Sequence, residues 1–176
     1  TAGEGYALDA DQMAAAADVL TGLFPDKMIV GALQPSTGVA IHFIKKAAKV
    51  GVCTFAAVPT YYMDDITQQH VIDHYVEISK YTEKLVIYNI PGTTGVNILP
   101  ETVLEIKSRC KNCLGIKNSG SEINQLKELI RMTQDEKFSV MQGNCEQALE
   151  GLRLGANGII PVVANLSPRA YVNFYE

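Results

Sequence analysis

One lysine at the end of an apolar run is the residue best placed for covalent chemistry. The run Leu114-Gly-Ile-Lys117 stops at the lysine, and Asn118-Ser119-Gly120 follow it. In an alternating β/α chain, residues just after a strand lie on the face that carries chemistry. A lysine desolvated by apolar neighbours can lose its proton near neutral pH and attack a carbonyl. Lys117 is therefore a candidate nucleophile, although a lysine that merely ends a strand and reaches solvent is the plainer interpretation.

Tyrosines fall near the ends of other predicted strands. If the chain forms a barrel, one face collects Tyr61, Tyr62, Tyr88, Asn89, Lys117, Gly143, Asn144 and Ile160. No histidine is predicted at these ends, and they offer no carboxylate pair, metal cluster or Ser-His-Asp set. An amine beside phenols suits imine formation with a 2-oxo acid, with a tyrosine moving protons as a carbon–carbon bond forms or breaks.

An alternation of strands and helices positions these side chains. Asp9 and Gln12 form a capping-box pattern before the first helix, and Ser36 or Thr37 is expected to cap the second. The strand–helix units repeat at roughly 25 residues, which is typical of a parallel β/α chain. The pattern predicts strands at 27–33, 53–59, 84–90, 113–118, 137–143 and 158–163, helices at 10–23, 38–50, 67–81, 100–108, 122–133 and 145–154, and a last helix from near Ser167.

Two α/β architectures fit this alternation, a doubly wound sheet and a β/α barrel. No Gly-x-Gly-x-x-Gly follows a strand, which disfavours a dinucleotide-binding sheet. A barrel needs eight strands and about 250 residues. The sequence has 176 residues, begins at Thr1 without a methionine and ends at Glu176 within a predicted helix. On the barrel interpretation two strands are missing, and we expect the functional protein to be longer.

Composition narrows the class of protein. Hydrophobic residues make up 47% and charged residues 19%, and the net charge is −4. These values favour a folded protein and disfavour nucleic acid or an anionic membrane as the partner. No apolar run has the length of a membrane span and no signal peptide opens the chain, so a cytoplasmic location is expected. The Cys110–Cys113 spacing resembles a metal or redox pair, but no second pair or histidine cluster accompanies it.

Several motifs together resemble the dihydrodipicolinate synthase and N-acetylneuraminate lyase family. They follow the family's order from end to end: Thr1-Ala-Gly-Glu4, Tyr88-Asn-Ile-Pro-Gly-Thr-Thr-Gly95, Gly115-Ile-Lys117, Gly143-Asn-Cys-Glu146, and Gly155-Ala-Asn-Gly158 through Asn165-Leu-Ser-Pro168. The resemblance implies an α/β protein with a (β/α)8 TIM barrel, seen here as a partial barrel of about six βα units. Residues 1–176 would form a single barrel domain that lacks the first two strands and the C-terminal helices.

The resemblance also implies roles for individual residues. Lys117 would form an imine with pyruvate, and Tyr88 would be the acid/base. Thr1 and Tyr62 would complete a proton relay, and in the synthases this tyrosine reaches in from a neighbouring subunit. The implied partners are pyruvate, an aldehyde and further copies of the chain in a dimer or tetramer, with no cofactor and no metal. Predicted substrate contacts are Ala2, Tyr61, Thr93, Ser119, Gly143 and Ile160.

Three departures from the family pattern bear on the second substrate. Ala2 replaces a hydroxyl residue that binds the pyruvate carboxylate, although its backbone N–H remains a donor. Thr93 stands where dihydrodipicolinate synthases have an arginine that binds the aldehyde's carboxylate, and it offers neither charge nor a bidentate fork. Cys145-Glu146 stands where N-acetylneuraminate lyases usually have Asp-Glu.

These departures favour a lyase or aldolase that cleaves or forms a 4-hydroxy-2-oxo acid of the sugar-acid type. Dihydrodipicolinate synthase is the alternative, and dehydratases of the superfamily use the same imine. A member that binds a 2-oxo acid without turnover is a rival of another class. An unrelated phosphate-binding barrel is disfavoured because the predicted last strand, 158–163, has only one glycine.

Overall fold

The computed structural model describes residues 2–25 and 27–176, and its strands form one parallel six-stranded sheet. The strands lie in chain order across the sheet, and every neighbouring pair is parallel. They are β1 (Val30–Ala32), β2 (Thr54–Ala57), β3 (Lys84–Asn89), β4 (Cys113–Asn118), β5 (Ser139–Gln142) and β6 (Gly158–Ile159). A sheet in which each strand pairs with the next one along the chain is that of a β/α barrel, so the predicted partial barrel is confirmed.

Helices separate the strands and cover one side of the sheet. They are α1 (Ala10–Leu23), α2 (Thr37–Ala48), α3 (Gln68–Ser79), α4 (Pro91–Thr94), α5 (Pro100–Arg109), α6 (Ile123–Thr133), α7 (Ala148–Arg153) and α8 (Pro168–Tyr175). The largest apolar cluster lies between this helix layer and the sheet, where Ile87 of β3 and Ile116 of β4 are fully buried. A second, small cluster holds Leu33, Val58 and Tyr88. Tyr88 therefore lies on the opposite side of the sheet from its neighbour Ile87, as expected for successive residues of a strand.

The helix starts follow the sequence signals in part. Asp9 accepts hydrogen bonds from the backbone N–H groups of Asp11 and Gln12, and Gln12 accepts one from Asp9 N–H, so the predicted capping box is confirmed. Ser36 does precede α2, but its side chain makes no capping hydrogen bond. The Thr37 hydroxyl is instead paired with a ring nitrogen of His74. The Thr37 hydroxyl, a predicted cap of α2, is therefore used in a contact with α3 instead.

Every strand except β4 is shorter than predicted, the two edge strands most of all, and helix α4 was not predicted. The edge strand β1 can pair only where β2 lies beside it, from Val30 to Ala32. The other edge strand, β6, pairs with β5 over only two residues, because Pro161 has no N–H to donate and the chain turns into a 3-10 helix. Helix α4 is a single turn that starts at Pro91, and it was missed because four residues carry no periodicity.

A buried histidine ties two helices to the end of a strand. His74 on α3 is 2% exposed, and its Nε2 lies 3.0 Å from the Val58 carbonyl oxygen. A carbonyl can only accept, so Nε2 carries the proton and Nδ1 accepts from the Thr37 hydroxyl at 2.9 Å. Burial lowers the pKa of His74 to about 4. The neutral ring therefore links α2, α3 and the segment after β2.

We expect His74 to make folding stability depend on pH. Between about pH 6.5 and pH 4 the unfolded chain binds a proton at this histidine and the folded chain does not, so stability falls as the pH falls through this window. A lowered pKa of this size corresponds to roughly 3 kcal/mol in total. Urea unfolding of the wild type and of His74→Gln, which keeps an amide donor for Val58, measures the difference. Equal pH slopes for the two proteins would contradict the assignment.

Candidate active site

The lysine and the tyrosine that the sequence selects meet at the carboxyl ends of adjacent strands. Tyr88 of β3 and Lys117 of β4 are register partners. Lys117 Nζ donates to the Tyr88 hydroxyl oxygen at 3.1 Å and lies 4.2 Å from the centre of the tyrosine ring. The tyrosine is 4% exposed, and the lysine is partly buried. An amine within hydrogen-bond reach of a phenol can exchange protons with it during carbonyl chemistry.

A one-residue bulge in β4 places the lysine opposite the tyrosine. Leu85 pairs with Cys113, but the next residue, Val86, pairs with Gly115. Leu114 is the extra residue in β4, and its side chain is exposed. Without it, each later residue of β4 would move one place along β3, and the lysine would no longer face Tyr88. Bulges beside active sites commonly redirect a side chain in this way.

Glycine at position 143 leaves room for the lysine. A Cβ at Gly143 would lie 2.2 Å from Ser119 Oγ and 2.9 Å from Lys117 Cε. Both contacts are shorter than van der Waals separation, so any other residue would displace the lysine or the serine. Ser119 Oγ is buried and has no hydrogen-bond partner among the described residues. It is therefore available to a substrate hydroxyl or carbonyl.

An open cleft of about 1040 Å³ surrounds the pair. Of the predicted substrate contacts, Ala2, Thr93, Ser119, Gly143 and Ile160 line it together with Lys117 and Tyr88. Among the described residues of its wall, Lys117 is the only basic one and Glu146 the only carboxylate. The wall therefore holds no arginine for a second substrate carboxylate. Helix α4 carries Thr93 to the cleft and so links it to the end of β3.

The remaining predicted residues do not join the pair within the described chain. The Tyr61 hydroxyl donates to the Leu33 carbonyl at 2.9 Å, which occupies its polar end. Tyr62 has a φ of 84° and is 94% exposed, and its side chain makes no hydrogen bond to another described residue. A positive φ is uncommon for a residue other than glycine, and the Tyr62 ring extends into solvent. Thr1 lies outside the described residues.

Asn89, which the sequence predicts on the same face as Lys117, instead lies behind the pair with Asn118, which the sequence did not single out. Asn89 and Asn118 follow Tyr88 and Lys117 directly, and their side chains meet at 2.8 Å on the helix side of the sheet. Asn97 and Gln125 extend the same set of hydrogen bonds. The sequence alone does not show that Asn89 lies opposite Asn118, because this pairing depends on the bulge in β4.

Burial keeps the thiols of the cysteine pair protonated, so neither is a ready nucleophile. Cys110 and Cys113 are buried, and burial raises the pKa of Cys113 to about 12 and also raises that of Cys110. Both thiols are protonated at neutral pH, whereas a metal ligand or nucleophile is the thiolate. Over residues 2–25 and 27–176, no group of three or more His, Cys, Asp or Glu side chains could hold a metal ion. The described helices also include none long and apolar enough to cross a membrane.

The fold and the strand-end pair define a β/α barrel with a lysine–phenol site, and comparison with known proteins identifies its family. The chain matches the model of the dihydrodipicolinate synthetase family over residues 1–176, and it belongs to this family. A 4-hydroxy-tetrahydrodipicolinate synthase from Thermotoga neapolitana is 37% identical over 155 residues, which cover 86% of this chain and 52% of the relative. The synthase from Fervidobacterium nodosum is 33% identical over 175 residues, or 98% of this chain and 59% of the relative.

Solved structures agree with this assignment. The dihydrodipicolinate synthase of Thermotoga maritima superposes with a TM-score of 0.92 at 33% identity, covering 99% of this chain and 60% of that one. A 2-keto 3-deoxygluconate aldolase from Picrophilus torridus gives a TM-score of 0.83 at 26% identity, over 91% of this chain and 58% of that one. The chain thus spans about half to three fifths of the length of these relatives.

We expect the two buried cysteines to be inert in the folded protein. A thiol reagent such as DTNB should modify Cys110 and Cys113 only at the rate of unfolding, because their thiols are protonated and buried. Peptide mass spectrometry after timed labelling measures each site, and the less buried Cys53 and Cys145 serve as internal references. Fast native labelling of Cys113, or retention of zinc that is lost in Cys113→Ser, would contradict this interpretation.

Proposed function

We propose that the protein makes or breaks a carbon–carbon bond between pyruvate and an aldehyde through an imine on Lys117. The observation that carries the proposal is the 3.1 Å contact between Lys117 Nζ and the Tyr88 hydroxyl, at the strand ends of a barrel. Membership of the dihydrodipicolinate synthetase family supports the same chemistry. Catalysis without a cofactor is consistent with it, because a protonated imine is itself the electron sink.

The proposed steps use groups that lie at the site. The neutral Lys117 amine attacks the C2 carbonyl of pyruvate, and the carbonyl oxygen leaves as water after two proton transfers. Tyr88 protonates the imine nitrogen, and its phenolate then takes a C3 proton, which gives an enamine. The enamine attacks the aldehyde carbon while Tyr88 delivers that proton to the aldehyde oxygen. Water then hydrolyses the imine and frees the lysine. Cleavage of a 4-hydroxy-2-oxo acid is the reverse of these steps.

Four predicted substrate contacts line the cleft around Lys117 and would contact the part of the substrate nearest the lysine: Ala2, Ser119, Gly143 and Ile160. The relay that includes Thr1 and Tyr62 belongs to the same proposal. The exposed ring of Tyr62 supports a role in the site of a neighbouring subunit, as the family resemblance implies, and hence a homo-oligomer.

Borohydride trapping tests the imine. With pyruvate and borohydride, we expect the wild type to gain one pyruvate-sized adduct that peptide mapping places on Lys117. Lys117→Ala should gain none and lose at least about a thousandfold in turnover, because no other described basic residue lines the cleft. Lys137→Ala is the matched control, since it removes an exposed lysine near β5. An adduct on Lys117→Ala equal to that of wild type, or none on folded wild type, would refute the imine mechanism.

There are two candidates for the second substrate, and the similar enzymes support the first, aspartate semialdehyde. The names of the similar enzymes support synthesis of 4-hydroxy-tetrahydrodipicolinate. That product is a seven-carbon dicarboxylate, so after the three carbons of pyruvate the second substrate supplies four carbons, one carboxylate and the ring nitrogen. Aspartate semialdehyde has this composition. Its carboxylate would have to bind without an arginine from the described cleft wall.

The wall of the cleft favours the second candidate, a neutral hydroxylated aldehyde released from a sugar acid. Thr93 and the unpartnered Ser119 hydroxyl can hydrogen-bond substrate hydroxyls, and Glu146 would repel a further carboxylate. The likeness to the Picrophilus torridus aldolase supports this class as well. Cleavage of 2-keto-3-deoxygluconate and condensation with aspartate semialdehyde are the two assays that separate the candidates.

Substitution of Thr93 measures what the cleft selects. Thr93→Arg should raise kcat/KM for aspartate semialdehyde at least about tenfold over wild type, because a bidentate guanidinium would hold the second carboxylate. It should lower kcat/KM for 2-keto-3-deoxygluconate. Thr93→Gln, which has length without charge, is the matched control and should not give the gain. Efficient use of the semialdehyde by the wild type, with no gain in Thr93→Arg, would show that the arginine is unnecessary and favour the synthase.

A further inference from the structure

A second pair of side chains lies directly behind the lysine and the tyrosine. Asn89 and Asn118 are register partners one residue beyond Tyr88 and Lys117, and they are 0% and 1% exposed. Asn89 Nδ2 donates to Asn118 Oδ1 at 2.8 Å. Successive residues of a strand point to opposite faces, so the amides meet on the helix side while the lysine and the phenol meet in the cleft.

The orientation of both amides follows from one backbone group. The Ile98 N–H, 3.0 Å from Asn89 Oδ1, can only donate, so the oxygen of Asn89 must face it. The Asn89 amide nitrogen then faces β4 and requires an acceptor there, which is Asn118 Oδ1. Asn89 Nδ2 also donates to Asn97 Oδ1 at 3.0 Å. Two donated hydrogen bonds and one accepted hydrogen bond thereby hold the buried Asn89 amide in one orientation.

The same amide also holds the segment that carries Thr93. Ile98 and Asn97 follow α4, so the bonds from Asn89 anchor the far end of that loop. Gln125 on α6 contacts Asn97, and Gln68 on α3 donates to the Asn97 carbonyl at 2.9 Å. Two strands and two helices are therefore connected through side-chain amides immediately behind the cleft.

We propose that Asn89 and Asn118 are positioning residues that fix the distance between Lys117 and Tyr88. The amide pair ties the last residues of β3 and β4 together by their side chains, beside the backbone bond from Ser119 N–H to the Asn89 carbonyl at 2.8 Å. If the tie is cut, Lys117 Nζ and the Tyr88 hydroxyl move apart, and proton transfer slows although both groups remain. This inference rests on the proposed function for its catalytic consequence, but the geometry it assigns can be tested without any substrate.

Three variants separate positioning from general destabilisation. Asn118→Leu removes the acceptor at nearly unchanged size, and Asn118→Asp keeps an oxygen in its place. Thr102→Val is the matched control, because Thr102 is 4% exposed and donates to Gln68 Oε1 at 2.6 Å at the far end of the same set of bonds. If Asn118→Leu does not fold by circular dichroism, Asn118→Ala replaces it, since the smaller side chain lets water reach Asn89.

The first readout is trapping of the pyruvate imine in a single turnover. For Asn118→Leu we expect the rate at saturating pyruvate to fall about twentyfold, with the half-saturating pyruvate concentration changed by less than about threefold, because alignment and not binding is lost. Asn118→Asp should recover most of the rate, and Thr102→Val should match wild type. An equal loss in Thr102→Val, or an unchanged rate in Asn118→Leu, would overturn the proposal.

The second readout needs no pyruvate. Acetic anhydride labels lysines as free amines, and the labelling of Lys117 is measured by mass spectrometry against the exposed Lys137. Loss of the contact with the buried Tyr88 ring leaves the amine more open to the reagent, so the relative labelling of Lys117 should rise about threefold or more in Asn118→Leu and not in Thr102→Val. If wild type traps no pyruvate, the imine mechanism fails and this ratio alone decides the positioning role. An unchanged ratio in Asn118→Leu refutes it.

Discussion

The bulge at Leu114 is the constraint on which the site depends. Cys113 and Ile116 both belong to the core under the helices, although they are three residues apart, a spacing that would put them on opposite faces of a regular strand. The extra residue resolves this conflict and shifts the register from Leu85–Cys113 to Val86–Gly115. Lys117 then faces Tyr88, and Asn118 faces Asn89. The extra residue Leu114 thus aligns Lys117 with Tyr88 and also aligns the two asparagines behind them.

Close approach of backbone on the other side of β4 makes the same arrangement possible. A Cβ at Gly115 would lie 2.3 Å from the Ser139 carbonyl oxygen, so only glycine lets β5 pair at this height. Gly143, just past the end of β5, leaves the space that the lysine side chain fills. These two glycines have different roles, because the first permits strand pairing and the second permits the site. Together with the bulge, they confine Lys117 between Tyr88 and the end of β5.

Local signals were enough to predict the order of the strands and to place Lys117 and Tyr88 at strand ends, whereas their proposed roles came from the family resemblance. Apolar runs, capping residues and a lysine after a strand are defined by residues adjacent in the chain, so they can be recognised without knowing the tertiary structure. What could not be predicted depends on partners distant in the chain. The Thr37 hydroxyl bonds His74 and not its own helix end, the Tyr61 hydroxyl bonds Leu33, and Asn89 meets Asn118 only because of the bulge. The shortened β1 and β6 likewise reflect which neighbouring residues are present to pair with them.

The charged side chains of the cleft wall bear on the proposed second substrate, whereas they do not bear on the family assignment. The family follows from the whole chain, but the second substrate is selected by a few side chains at the wall. A 2-oxo acid brings one carboxylate to a wall whose described residues include one basic group, Lys117, and one acid, Glu146. A second carboxylate would find no described cation on the wall besides Lys117, and Glu146, which is exposed, would repel it weakly. In the proposed lyase reaction, a neutral hydroxylated aldehyde would need no such cation and could hydrogen-bond Thr93. The choice between the two proposed substrates therefore sets Thr93 on α4 against the names of the similar enzymes, which support the synthase reaction.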